Sequence, residues 1–473
     1  MTGTLTPLQR IPTRRNVELM LLVFAVLIVV AAETAVEAAR EGRLEPSRLL
    51  TYAAVPLALG LITHLVIRQV ARYADPLMLP IVVLLNGLGL VMIHRLDLGR
   101  QEQSPSDFAA QAPKQVVWIA LGLVLFLAIL LVVRDHRALQ RYAYTLALAG
   151  LFLLMLPVVL PAQFSEIPEA PGAHIWIRVA GFSIQPGEIA KILLTIFGAA
   201  YLVQKRDVLA LAGRRVLGID FPRGRDFGPL LLAWLVCIAI LVRGSDLGTS
   251  LLFFGLFVVL LYVATERVSW VIVGVLLFAG GAYVAYQIFG KVQERVSVWL
   301  HPFSAANVSP GYDPTYQLRQ SLFGLGTGGI FGTGLGSGHP ELVPLPATDF
   351  IISSFGEETG LFGLIGLLTL YALLVARGFA AGLAVRDAFG KLLACGLAFL
   401  FALQLFVVVS GVTRLLPATG LTTPFLSYGG SSMLGSWAIL ALLVRVSDAA
   451  RRPATTPPSP PPTTTAMQEA VPA

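Results

Sequence analysis

The sequence predicts an all-α fold: a polytopic integral membrane protein of about twelve transmembrane helices with one large extracytoplasmic loop. Hydrophobic residues make up 56% of the 473 and charged residues only 13%, about half the charged share of a soluble domain. Mean hydropathy is +0.77. The apolar residues also gather into runs of roughly 20, the length a helix needs to cross the hydrocarbon layer. Basic residues collect in short loops between these runs, where they set membrane orientation, so the net charge of +7 is no argument for nucleic acid. Cys237 and Cys395 both lie inside apolar runs, which excludes a disulfide framework and a four-ligand zinc site.

Residues 1–16 read as a cytoplasmic tail. The first span, 18–36, follows Arg14 and Arg15 and ends in small residues, as a secretory signal does, but its length and the later spans make it an uncleaved anchor. Span 50–70 completes an N-terminal pair within residues 17–75. Spans 76–94, 115–133 and 142–161 are apolar runs parted by short charged stretches. Span 188–204 opens behind Pro186 with Glu188 in its first turn, both favoured at helix N-termini. A basic loop with Lys205, Arg206, Arg214, Arg215, Arg223 and Arg225 leads to span 227–242; a short turn holding Asp246 then opens span 247–264, and 268–288 follows. Spans 350–376, 389–411 and 426–446 come after the polar loop 289–349.

The positive-inside bias puts the basic loop and both termini in the cytoplasm. Loops 162–187 and 289–349 then face outward together. Beyond Arg452, PATTPPSPPPTTT cannot bury a core, so 449–473 is expected to be disordered. No internal repeat of the inverted-transporter kind is visible.

Several polar groups in this apolar chain need explaining. Glu188 and Lys191 lie three apart on one helical face; they are either a cap and an internal ion pair, or a cation set near a lipid phosphate with Asp246 as partner. A lysine at span depth costs about 2.5–3.5 kcal/mol on insertion scales and seldom persists unpaired. Asp246 is itself either a helix cap or a member of a buried charge network with Lys191. The glycine run Gly324–Gly338 lacks the Gly-Lys-Ser/Thr ending of a phosphate loop and reads as tight turns at the membrane surface. The small and hydroxylated stretch Pro417–Ser432 reads equally as close helix packing or as part of a site.

Taken together, these motifs resemble the shape, elongation, division and sporulation (SEDS) family, whose members RodA and FtsW polymerise peptidoglycan from lipid II. The resemblance rests on Gln185-Pro186-Gly187-Glu188-Ile189-Ala190-Lys191, Asp246-Leu247-Gly248-Thr249, Tyr316-Gln317 through Gln320-Ser321 and the glycine run, Thr348-Asp349-Phe350 with Gly356-Glu357-Glu358, and Pro424–Ser432. It covers 76–448, a polymerase membrane domain of about ten helices, and leaves the N-terminal pair as an addition. Gly187 stands where the family commonly has Ser. The resemblance implies that Asp313, in the only Asp-Pro of the 289–349 loop ahead of Tyr316-Gln317, is the general base. Its spacer is Thr315 alone, and the segment from Pro302 to Asp313 is longer than the family's.

The implied reaction is an inverting transfer: Asp313 deprotonates the GlcNAc 4-hydroxyl of one lipid-linked chain, which attacks the MurNAc anomeric carbon of another. Glycosidases need two carboxyl groups to protonate a leaving alcohol and activate water. Undecaprenyl pyrophosphate leaves as a stable anion, so one base and nearby positive charge meet the need. Arg178, Lys191 and Arg319 are the candidate cations, and Glu188, Asp246, Gln317, Gln320, Ser321, Asp349, Glu357 and Ser427 complete the candidate substrate site. No motif forms a metal cage; Mg or Mn is expected to come with the pyrophosphate. The resemblance further implies lipid II and the nascent glycan strand as ligands, a class B penicillin-binding transpeptidase as partner, and the bacterial plasma membrane as location. A short, featureless tail favours RodA-like elongation over FtsW-like division. A lipid II flippase and an O-antigen polymerase or ligase are the competing readings, disfavoured by polar groups clustered toward one face and by the matched motifs.

Overall fold

The computed structural model describes residues 13–42, 46–103, 109–165, 174–179, 182–210, 214–216, 219–221, 224–243, 246–304 and 313–453. Helices come in the order α1 (Arg15–Arg40), α2 (Pro46–Val70), α3 (Met78–Gln103), α4 (Ala112–Val132), the short α5 (Ala138–Arg141), α6 (Ala143–Val159), the short α7 (Ala162–Ser165) and α8 (Gly187–Ala210). They continue with α9 (Gly224–Arg243), α10 (Leu247–Thr265), α11 (Ser269–Ile288), α12 (Gly290–Leu300), α13 (Tyr316–Gly328), α14 (Ile351–Ala384), α15 (Ala388–Val412) and α16 (Gly430–Arg451). Two antiparallel hairpins interrupt them: β1 (Ile177–Val179) with β2 (Phe182–Ile184), and β3 (Arg214–Val216) with β4 (Ile219–Phe221).

Among the described residues nine helices are long and apolar enough to cross a membrane, and three shorter apolar helices, Ala54–Val70, Ala143–Val159 and Leu231–Arg243, fall on three further expected spans. The chain is a multi-pass helical membrane protein. α16 runs to Arg451, slightly into the segment expected as tail; residues 454–473, which hold the rest of that segment, lie outside the described residues, as do residues 1–12.

Burial ranks the helices. The apolar windows of α3 and α16 are 94% and 83% buried, against 6% for α11, so the first two form the centre and α11 presents its apolar sides to lipid. Small residues let the centre close. A Cβ on Gly89 of α3 would lie 2.4 Å from the Leu426 carbonyl oxygen, so only glycine lets α3 touch the loop before α16.

The loop between α11 and α14 is largely structured, carrying α12, α13 and a 3-10 turn at Pro340–Leu342. Its glycine-rich part is held by a break in α14 at Gly360 (φ 65°, ψ −168°). A Cβ there would sit 2.3 Å from the Gly332 nitrogen. The break frees backbone groups that must find other partners. Leu361 and Phe362 N–H donate to the carbonyls of Gly329 and Ile330, while Thr333 and Gly334 N–H donate to those of Glu357 and Glu358.

Candidate functional site

The site begins at the N-terminus of α8, where Gln185-Pro186 leaves the β1–β2 hairpin. One turn of helix brings Glu188 and Lys191 together at 2.7 Å, with both side chains almost wholly buried. Lys191 Nζ also donates to Gln404 Oε1 of α15 at 2.9 Å, and Gln404 Nε2 donates to the Thr422 carbonyl at 2.8 Å. The cation is thereby fixed between a carboxylate and an amide that bridges to the Pro417–Ser432 segment. Asp246 is not its partner. That carboxylate caps α10 by accepting from Thr249 N–H at 2.9 Å, and Gln185 Nε2 donates to its other oxygen at 3.2 Å. Glu188, one helical turn from Lys191, is the carboxylate that pairs with it.

A narrow cavity opens beside this group, lined by His174, Gln185, Gly187, Leu241 and Asp246 among others. Gly187 contributes no hydroxyl to it. Arg295 of α12 donates to the carbonyls of Ala418 and Thr419 at 3.4 and 3.3 Å, and its charge reaches both Asp246 and Asp349. Burial pushes the half-buried Asp349 carboxyl up to about 6, against the pull of the Thr348 hydrogen bond and Arg295. Because this lies above the ordinary 3.8, the folded chain holds the proton more tightly than the unfolded one. The stability it contributes is present below about pH 4 and lost as pH rises through 6. Asp349→Asn is therefore expected to raise the melting temperature at pH 8, by about 1–2 kcal/mol of stability after solvent screening, and to change little at pH 4. Thermal scans at the two pH values measure it; equal shifts at both would contradict the assignment.

Ser427 Oγ donates to the Thr348 carbonyl at 2.6 Å and accepts from Thr423 N–H at 2.9 Å, while Tyr428 N–H donates to the Ala347 carbonyl at 2.7 Å. Thr348-Asp349 and Pro424–Ser432, read as separate motifs, thus form one surface.

Asp313 stands apart, just before α13. It accepts from Thr315 N–H at 3.0 Å and from the Thr315 hydroxyl at 2.6 Å, and it pairs with Arg319. The Thr315 hydroxyl, then the Thr315 N–H and the Arg319 guanidinium, hold the carboxyl below the usual carboxylate range. It is ionised at neutral pH. Arg319 thus orients the acid, whereas Lys191 and Asp246 bond to other groups. Gln317 and Gln320 are half-buried on α13. Ser321 is buried, with its hydroxyl facing the Val412 carbonyl at 3.5 Å. Arg178 is exposed on β1, opposite Ser183. Glu357 accepts from His339 N–H at 2.6 Å and so holds the glycine-rich loop. Among the described residues no three His, Cys, Asp or Glu side chains cluster to hold a metal ion.

Sequence spacing did not single out Gln404, which lies 213 residues from Lys191. A glutamine inside an apolar span was its only signal. Arg295 is a charge in the 289–349 loop, and nothing in its spacing marks it as a residue whose field reaches two acids.

The family model described as "Cell cycle protein", covering FtsW, RodA and SpoVE, matches residues 76–452. The peptidoglycan glycosyltransferase RodA of Mycobacterium tuberculosis is 51% identical over 446 residues, 94% of this chain and 92% of the relative. Of solved structures, the rod shape determining protein RodA of Thermus thermophilus is similar at 26% identity and a TM-score of 0.56, over 80% of this chain and 98% of that one. A chain from a structure of a peptidoglycan synthase complex that coordinates polymerization and crosslinking is similar at 28% identity and a TM-score of 0.58, over 77% and 97%.

Proposed function

The chain belongs to the FtsW, RodA and SpoVE family of cell-cycle proteins, and from that premise we propose that it is a peptidoglycan glycosyltransferase of the RodA kind. The 51% identity across 94% of the chain carries this reading, and the geometry supplies the roles. Lipid II is the substrate, extended into β-1,4-linked glycan with release of undecaprenyl pyrophosphate. Asp313, charged at neutral pH and steered by Thr315 and Arg319, accepts the proton of the GlcNAc 4-hydroxyl. A carboxylate this weakly basic works through placement against the attacking oxygen rather than through proton affinity. The oxygen displaces pyrophosphate from the MurNAc anomeric carbon, inverting it. Lys191 and Arg178 supply positive charge to the departing group, and Mg or Mn, carried by the phosphate oxygens, adds charge there when bound.

Both termini lie in the cytoplasm, so the 289–349 loop and the cavity by Asp246 face outward, where lipid II presents its sugar. A class B penicillin-binding transpeptidase that cross-links the new strand is the partner; similarity to a chain from a polymerizing and crosslinking complex supports this. The deciding assay supplies purified protein, alone and with its transpeptidase, with lipid II and Mg or Mn. Glycan polymer is expected. Head-group translocation across vesicles without polymer would identify a carrier instead.

A further inference from the structure

We propose that Arg40, the last residue of α1 in the N-terminal helix pair that precedes the family-matched region, is a positioning residue that holds the glycine-rich loop in its working geometry. The inference rests on the glycosyltransferase reading for its activity arm only. The last turns of α1 lie directly on the loop: a Cβ on Gly336 (φ +86°) would be 2.8 Å from Ala39 Cβ and 3.2 Å from the Val36 carbonyl oxygen. Arg40 donates to the Gly338 carbonyl at 2.9 Å, and Arg95 of α3 donates to the same oxygen at 2.5 Å. One loop carbonyl is therefore gripped by two guanidinium groups from two helices.

The charges around this grip are matched. Arg95 pairs with Glu358 at 2.6 Å and with Glu341 at 3.0 Å, and Arg40 reaches Glu341 at 3.6 Å and the more exposed Glu102 at 3.1 Å. Arg95, Glu341 and Glu358 have side chains no more than 2% exposed and Arg40 12%, so one buried and one partly exposed positive group face two buried carboxylates. Glu358 in turn accepts from Gly336 N–H at 3.0 Å, while its neighbour Glu357 accepts from His339 N–H. Without Arg40, Arg95 alone faces two buried acids. The loop end would then be free to move, and with it Gly328 at the end of α13, whose packing on the Gly356 carbonyl and Glu357 backbone leaves no room for a Cβ. α13 begins three residues after Asp313, so Arg40 acts on the base at a distance, through backbone. It touches no substrate. Residues 76–452 match the family, so the Arg40 half of this clamp comes from a helix outside the matched region and the Arg95 half from within it.

The test uses full-length protein carrying Arg40→Ala or Arg40→Lys. Hydrogen exchange of the Gly336 and His339 amides, read without substrate, is expected to quicken about tenfold or more in Arg40→Ala and to return toward wild type in Arg40→Lys. With lipid II, kcat is expected to fall about tenfold or more in Arg40→Ala with KM changed less, since small misplacements near the chemistry cost rate, and Arg40→Lys should recover much of it. Unchanged exchange at both amides overturns the clamp, and unchanged kcat overturns its role in turnover. If wild-type protein makes no glycan, the activity reading fails while the exchange arm still judges the clamp. Should Arg40→Ala not accumulate, Arg40→Gln, which keeps the stem but not the fork, is read by the same two measurements.

Discussion

Asp313→Ala is expected to lower lipid II polymerisation by roughly 10²–10⁴-fold, the usual contribution of a positioned general base, with the thermal midpoint almost unchanged. The carboxylate is only partly covered and its partners, Thr315 and Arg319, are near neighbours in sequence. Its removal leaves no buried charge behind. Asp313→Asn should be as inactive as alanine, because the amide keeps the Thr315 contacts but accepts no proton. Arg319→Ala should be milder, costing orientation of the acid rather than the acid itself. A polymerisation assay with all three variants, each checked for abundance, separates these outcomes. Activity retained in Asp313→Ala would remove it as the base and turn attention to Asp246 or Asp349, the acids near Arg295.

Lys191→Met should behave in the opposite way, losing stability and activity together. The substitution strands Glu188 in the core beside an unpaired Gln404 oxygen. Breaking a buried pair from one side costs about 3–5 kcal/mol. The double variant Lys191→Met with Glu188→Gln removes both charges and is expected to recover most of that stability. If Lys191 also steadies pyrophosphate, the double variant stays inactive despite folding well. Recovery of polymerisation along with stability would show that the ion pair is a packing device and that the cation for the leaving group lies elsewhere, with Arg178 next in line.

The membrane helices were legible because hydrocarbon thickness fixes their length and composition. The Glu188–Lys191 pair was legible for a similar reason: helix geometry alone brings residues three apart together. Asp246 was read both as a cap and as the partner of Lys191, and only the cap appears, because its bond to Thr249 N–H is local whereas the other needed helices placed in space. Gln404, Arg295 and the Ser427–Thr348 contact depend on tertiary placement, joining segments 79 or more residues apart. No spacing rule reaches that far. Glu18, Glu33 and Glu37, fully buried carboxylates in α1, were a visible signal passed over. Glu18 faces Arg15 and His64 within the N-terminal pair, and Glu33 faces His94 of α3 at 2.7 Å, so polar contacts as well as apolar packing run inside the pair and from it to α3.

The interruption at Gly360 bears on how the outer loop can let go. Four amide-to-carbonyl links tie residues 329–334 to 357–362, each worth about 1 kcal/mol net, and all are anchored on one rigid corner. Loosening one misaligns its neighbours, so the strip should detach all at once or stay seated. Any motion of this region during successive rounds of sugar addition would then resemble a latch with two positions rather than a flap of continuous range.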